Sequence, residues 1–228
     1  QFMMTTIRRQ VASCVFGLAP YLEAILSGQI SRLELSESDS DDDLQAMTEA
    51  FAEFRADVDA LVVAALRGAF EYQGQKCSAC SRAIVVEPIY DKFRERLVQA
   101  ATSLTIGPAE DPANSLGPVV DEKARRSILE YIELAKTEGK VLLSREVPAT
   151  GYYVPLTIVE DIRPDHRIAQ EEIFGPVLAI TEYSTLDDAL GYINSRPRPL
   201  ALYYFDWNSG RADYVAANTH SGGMCVNE

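Results

Sequence analysis

Residues 69–86 read Ala-Phe-Glu-Tyr-Gln-Gly-Gln-Lys-Cys-Ser-Ala-Cys-Ser-Arg-Ala-Ile-Val-Val. This stretch joins the end of an apolar helix, expected over Val58 to Phe70 with Asp57 as its cap, to an apolar run of strand type, Ala83 to Val86. Cys77 lies in the turn between them. On residue type alone a cysteine is more often a small buried hydrophobe. A thiol attacks carbon only as its thiolate, and it ionises more readily where a cation and backbone N–H groups raise the local potential. Here Lys76 is adjacent, and the Gly74-Gln75 turn leaves backbone amides without a Cβ wall on one side.

Downstream, strands and helices alternate. Pro88 opens a helix over Ile89 to Leu104, its fixed φ suiting a first turn. A Pro/Gly-rich loop, Gly107 to Pro118, precedes an amphipathic helix, Asp121 to Lys136, with Ile128, Ile132 and Ala135 on one face and Gly139 as its stop. Strands are expected at Val141 to Leu143, Tyr153 to Val159, Val177 to Thr181 and Ala201 to Phe205, and helices at Leu186 to Asn194 and Arg211 to Asn218. Met224 to Val226 is a further apolar stretch. The alternation predicts an α/β fold, a mostly parallel sheet covered by helices.

Upstream, Ile7, Val11, Val15, Leu18, Leu22 and Ile25 recur at helical spacing, so residues 1 to about 28 read as helix, divided at Pro20. Glu37 to Asp43 is an acidic run read as a solvated linker, and Leu44 to Arg55 reads as helix. Residues 1–55 are thus expected to form a helical extension and linker, and residues 56–228 one α/β unit.

The chain of 228 residues is long enough for a real core, at 47% hydrophobic residues. Its net charge of -13 argues against nucleic-acid and anionic-membrane partners. No stretch has the length of a membrane span, and Val11 to Leu26, carrying Pro20 and Glu23, does not read as a signal peptide. Cys77 and Cys80 could be a redox pair or half a zinc site. Cys14, Cys225, His166 and His220 lack the spacing to complete one, so no metal is expected. A free reactive thiol fits a reducing, cytoplasmic setting.

The segment Ala69 to Arg82 resembles the nucleophile segment of aldehyde dehydrogenases, in particular the 1-pyrroline-5-carboxylate dehydrogenase branch, which assigns Cys77 as nucleophile. A second segment, Gln170-Glu-Glu-Ile-Phe-Gly-Pro-Val177, resembles the family's nicotinamide-side motif. The resemblance implies that Glu172 binds the ribose hydroxyls and that Phe174 lies beside the nicotinamide. Both choices are chemically sound, since a carboxylate accepts two hydroxyl hydrogen bonds and a ring face limits where the nicotinamide can swing. Leu116 to Lys123 and Tyr131 to Gly139 are similar to the same branch, whereas Arg196 to Phe205 and Ser221 to Asn227 look more like branches acting on hydrophobic aldehydes.

The resemblance implies NAD- or NADP-dependent oxidation of a small-molecule aldehyde through a cysteine thiohemiacetal and an acyl-enzyme. There are departures. No Gly-Ser-Thr-x-x-Gly phosphate turn is found, and the dinucleotide-binding domain that precedes the cysteine in the family has no room here. Leu33-Glu34-Leu35 is similar to the family's general-base segment but lacks its glycines, so Glu34 is read as a surface glutamate, with a relic of that base as the alternative. The chain is therefore expected to be impaired alone and to need a complementing dinucleotide-binding domain or another copy of itself. A non-catalytic association module is the rival reading, and a Cys-x-x-Cys thiol oxidoreductase a third.

Overall fold

The computed structural model of the chain describes residues 13–16 and 58–227. Among them, seven strands form one sheet in the order β3-β4-β5-β2-β1-β6-β7. The strands are β1 Ser13–Phe16, β2 Cys80–Val86, β3 Lys140–Ser144, β4 Thr157–Glu160, β5 Val177–Tyr183, β6 Ala201–Tyr204 and β7 Gly223–Val226. Only β3 runs antiparallel to its neighbour; the other pairs are parallel. The α/β class read from the sequence is the class observed.

The helices are α1 (residues 58–70), α2 Glu87–Ser103, α3 Glu122–Glu138, the single turn α4 Arg167–Gln170, α5 Leu186–Asn194 and α6 Ser209–Asn218. Each forms where apolar spacing and end signals agree. In α1, Leu61, Ala65 and Ala69 are buried at steps of four, with Val62 beside them. Pro88 occupies the first turn of α2, and Ile89, Phe93, Leu97 and Ala101 make its buried stripe. Asp121 caps α3 by accepting from Ala124 N at 2.7 Å. Thr185 and Asp188 form a reciprocal capping box on α5.

Both faces of the sheet are covered. Leu178 and Ile180 of β5 belong to a large core shared with α1 and α2. Their alternating neighbours Val177 and Ala179 belong to a second core shared with α3. Burial on both faces explains the continuous apolar reading of β5, which a half-exposed strand would not give.

Two sequence expectations are corrected. The helix expected over residues 1 to about 28 is a strand at Ser13–Phe16, where the backbone makes parallel ladders with β2 and β6. A Ser-Cys-Val-Phe run suits a strand, and pairing on both sides outweighs the helical spacing around it. The rest of that expectation, with Glu34, the acidic run, Leu44 to Arg55 and Asp57, lies outside the described residues. The strand expected from Tyr153 begins only at Thr157. Pro155 has no N–H to give a ladder, and pairing toward β5 starts with Thr157 N donating to Pro176 O at 2.9 Å.

Candidate active site

The turn that holds Cys77 begins with a left-handed run. Tyr72, Gln73 and Gly74 have φ of 53°, 57° and 67°, and for the two non-glycine residues that conformation is costly. Gly74 is required by contact as well as by φ. A Cβ there would lie 2.3 Å from Gly175 O, so the two backbones touch. Gly175 is hemmed in turn, since its Cβ would lie 2.6 Å from Ile128 Cγ1 of α3. These glycines bring the cysteine turn against the loop that carries Glu172 and Phe174.

Four hydrogen bonds fix the turn. Gln75 N donates to Tyr72 O and Ala79 N to Lys76 O, both at 3.0 Å. Val120 N donates to Gln75 Oε1 at 3.1 Å, and the Tyr203 hydroxyl of β6 donates to Ser78 O at 2.9 Å. Cys77 is thereby presented to solvent as a free thiol, and its own N–H has no acceptor among the described residues. Cys80, three residues on, faces the core at 2% exposure and donates its Sγ–H to Arg82 O at 3.4 Å.

The facing loop is positioned from behind. Arg82 of β2 is fully buried and donates Nη1–H to Ala169 O at 2.7 Å, and Arg196 Nε donates to the same carbonyl at 3.4 Å. Two arginines thus hold α4 just before Glu172. Glu171 is occupied by Arg167, at 3.0 and 2.9 Å, and by the Tyr131 hydroxyl. Glu172 makes no hydrogen bond or ion pair among the described residues. Its carboxyl is raised above the ordinary carboxylate range by burial. It lines one cleft with Gly74, Ser81, Ile173 and Phe174. Phe174 is 44% exposed and held at φ 57°, a left-handed conformation unusual for an aromatic residue. The structure therefore brings the Cys77 turn, Glu172 and Phe174 together.

The charge beside Cys77 differs from the sequence expectation. Lys76 Nζ lies 3.5 Å from Glu71 Oε2 and 5.5 Å from the Tyr72 ring centroid. Its field is shared with a carboxylate that also accepts from Arg67 Nε at 3.1 Å. The hydrogen bond from Arg67 is the main cause holding Glu71 below its ordinary range, aided by Lys76 and opposed by burial. The strictly local reading of Lys76 missed this because Arg67 comes from α1 and Glu71 from the start of the turn that follows it.

A larger cavity, of about 750 Å³, lies beside the turn between α1 and the ends of β6 and β7. Sequence reading missed it. Its far wall carries Phe205 and Trp207, on a loop clasped to the end of β7. Asp206 N donates to Asn227 Oδ1 at 3.0 Å, and Asn227 Nδ2 donates to Asp206 O at 3.1 Å. The one signal available was the i, i+4 pairing of Arg67 and Glu71 in the last turns before the cysteine. Among the described residues, no group of three or more His, Cys, Asp and Glu could hold a metal ion, and no helix is long and apolar enough to cross a membrane.

Comparisons with known proteins find relatives over most of the chain. A 1-pyrroline-5-carboxylate dehydrogenase from Geobacillus sp. (strain WCH70) is 36% identical over 173 residues, covering 75% of this chain and 34% of that protein. An alpha-ketoglutarate semialdehyde dehydrogenase from Haloferax volcanii is 46% identical over 167 residues, covering 71% and 34%. The structure of a Thermus 1-pyrroline-5-carboxylate dehydrogenase with bound NAD superposes with a TM-score of 0.76 at 26% identity, over 97% of this chain and 36% of that one. The chain thus spans about a third of the length of the relatives it matches. The sequence pattern of the aldehyde dehydrogenase family matches residues 49–228, and with the cysteine turn and the Glu172 loop in contact, the chain belongs to that family.

Proposed function

We propose that this chain carries the catalytic part of an NAD(P)-dependent aldehyde oxidation, with Cys77 as nucleophile. The observation that carries the reading is the glycine-to-glycine contact, which sets an exposed thiol beside a loop whose half-buried carboxylate has no partner among the described residues. In the first step the Cys77 thiolate adds to the aldehyde carbon. The C–S bond forms as the C=O π pair moves onto oxygen, and the free Cys77 N–H is placed to stabilise that oxyanion. Glu172 and Phe174 fit the nicotinamide end of a dinucleotide, because Glu172 has acceptor capacity to spare for ribose hydroxyls and Phe174 offers an exposed ring face. When bound, the cofactor supplies the hydride acceptor. Water then releases the acid from the cysteine thioester.

The functional unit proposed is residues 56–228, with strand β1 supplied from upstream. The 228 residues carry no Gly-Ser-Thr-x-x-Gly phosphate turn, and we infer that on their own they turn over poorly and that a dinucleotide-binding domain or a further copy would complement them. The test is an activated ester such as p-nitrophenyl acetate. A burst of at most one equivalent of p-nitrophenol, lost in Cys77→Ala, is expected, with no sustained NAD(P)H formation from aldehydes. The exposure of Tyr72 (72%) and Val120 (76%) favours the second reading, an association module. Absence of any burst, together with a concentration-dependent increase in mass by light scattering, would support it.

A further inference from the structure

A cavity of about 470 Å³ opens where the last turns of α5 and α6 meet, and the reaction proposed at Cys77 makes no use of it. Arg196, Arg198 and His220 line it, and among the described residues no carboxylate does. In a chain of net charge -13 that local balance runs against the whole. Cations commonly gather at helix C-termini, where unpaired carbonyls attract them. Here those carbonyls are already served. Asn194 Nδ2 donates to Asn218 O, Asn218 Nδ2 to Tyr214 O and the Thr219 hydroxyl to Val215 O, each at 2.8 Å. On α5 the Ser195 hydroxyl donates to Tyr192 O at 2.8 Å, and Arg196 N donates to Ile193 O at 3.1 Å. The side chains of Arg198 and His220 take no part in this. Neither makes a hydrogen bond or ion pair among the described residues, and both are exposed, so packing does not account for them either.

We propose that this cavity binds a terminal phosphate group, either the dianionic end of a small phosphate ester or phosphate itself. The planar fork of Arg198 matches two oxygens of one oxyanion, and the imidazole of His220 adds a donor from a second loop. A tetrahedral phosphate presents oxygens in several directions, so groups from two loops can share it, whereas a planar carboxylate is satisfied by one guanidinium. The cavity has the size of a small-molecule site, and Ile193, Pro199 and Ala217 give the organic part of an ester an apolar wall. Arg196 has a different place. It lies 3.4 Å from the Tyr192 ring centroid and donates Nη2–H to Pro164 O at 3.2 Å and Nε–H to Ala169 O. It therefore joins the cavity to α4, and through α4 to the loop of Glu172. The site stands on these groups alone and does not depend on Cys77 being a nucleophile.

The test uses the whole chain and its two histidines, His166 and His220. Their imidazole C2–H signals are followed by proton NMR at constant pH and ionic strength, with His220→Gln assigning the pair. His166 lies outside the cavity, where its Nδ1 accepts from Arg163 N at 3.4 Å, and serves as the internal control. The probes are inorganic phosphate, ribose 5-phosphate, NAD and, as a carboxylate, acetate. The His220 signal should move and saturate with phosphate or ribose 5-phosphate at about 1–10 mM, as a few charge-assisted contacts open to water allow, while His166 stays put and acetate does nothing. Arg198→Met should weaken this binding about tenfold, and Arg198→Lys, which keeps the charge without the fork, by less. Tighter binding of ribose 5-phosphate than of phosphate identifies an ester site, and equal binding a free-phosphate site. NAD binding more tightly than either would overturn the proposal by giving the cavity to the dinucleotide. Parallel, unsaturated shifts of both histidines, an equal response to acetate, or unchanged binding in Arg198→Met would overturn it as well.

Discussion

Glu172 is at odds with its surroundings, and the conflict is informative. A carboxylate without hydrogen-bond donors is disfavoured by burial, which here raises its pKa. Such a group stabilises the fold most when protonated, below its unfolded value, and that contribution is lost as pH rises through the folded value. At neutral pH it therefore works against folding. Glu172→Gln should raise Tm by about 1–3 °C at pH 7.5 while weakening NAD(P) binding. Differential scanning fluorimetry with and without dinucleotide checks both effects, and a lower Tm would show that Glu172 has a stabilising partner. Gly74 makes the opposite prediction. In Gly74→Ala the new Cβ meets the Gly175 backbone, so a loss of about 2–4 kcal/mol is expected in urea unfolding. The ester burst at Cys77 should disappear even in the fraction that folds.

At the scale of elements, what the sequence revealed and what it hid have separate physical causes. The helix at Leu186–Asn194 and the strands β2 and β5 were legible because periodicity and end signals coincide there, as in the Thr185–Asp188 box. The second half of the cleft was legible only through the motif around Glu172 and Phe174. Nothing local reveals that Gly74 touches Gly175, because the contact is made by what two residues lack. The buried Arg82 was equally hidden. In sequence it reads as a polar interruption before a strand, whereas in the fold it reaches α4 and, with Arg196, holds Ala169 O. The strand at Ser13–Phe16 was misread because its ladder partners lie far along the chain. The cap on α3 provides a check on the local logic. Asp121→Ala should destabilise the protein by about 1 kcal/mol without changing Cys77 alkylation, and a change in alkylation would mean that α3 transmits its position through Ile128 to Gly175.

At the scale of the molecule, two buried carboxylates among the described residues, Glu160 and Asp206, shape the response to acid. Burial alone would raise Glu160, but hydrogen bonds from Lys140 at 2.7 Å and Arg94 at 3.3 Å, with Tyr90 as a third donor, hold it below its ordinary 4.5. Asp206 is likewise opposed by burial but held below its ordinary 3.8 by Arg211 at 2.6 and 2.7 Å and by the Tyr204 hydroxyl. Carboxylates depressed in the fold contribute stability above their unfolded values and lose it as pH falls through the folded ones. Tm should therefore hold down to about pH 5 and fall steeply below about pH 4. In Glu160→Gln the acid-induced fall should be shallower, starting from a Tm already lower at pH 7, and thermal melts across pH 3 to 8 would show it.

Cys77 and Cys80 stand three residues apart with opposite access, one at the surface and one packed beneath Gly68 of α1, where an added Cβ would sit 3.4 Å from Cys80 Cβ. That contrast turns the segment into two clocks. Modification of Cys77 proceeds from the native state and times the chemistry of the site. Modification of Cys80 has to wait for α1 to lift from β2, so its rate at low reagent reads the population of that opening. Comparing the two in one digest measures local unfolding next to the nucleophile without denaturant, and shows whether dinucleotide binding tightens the helix above it.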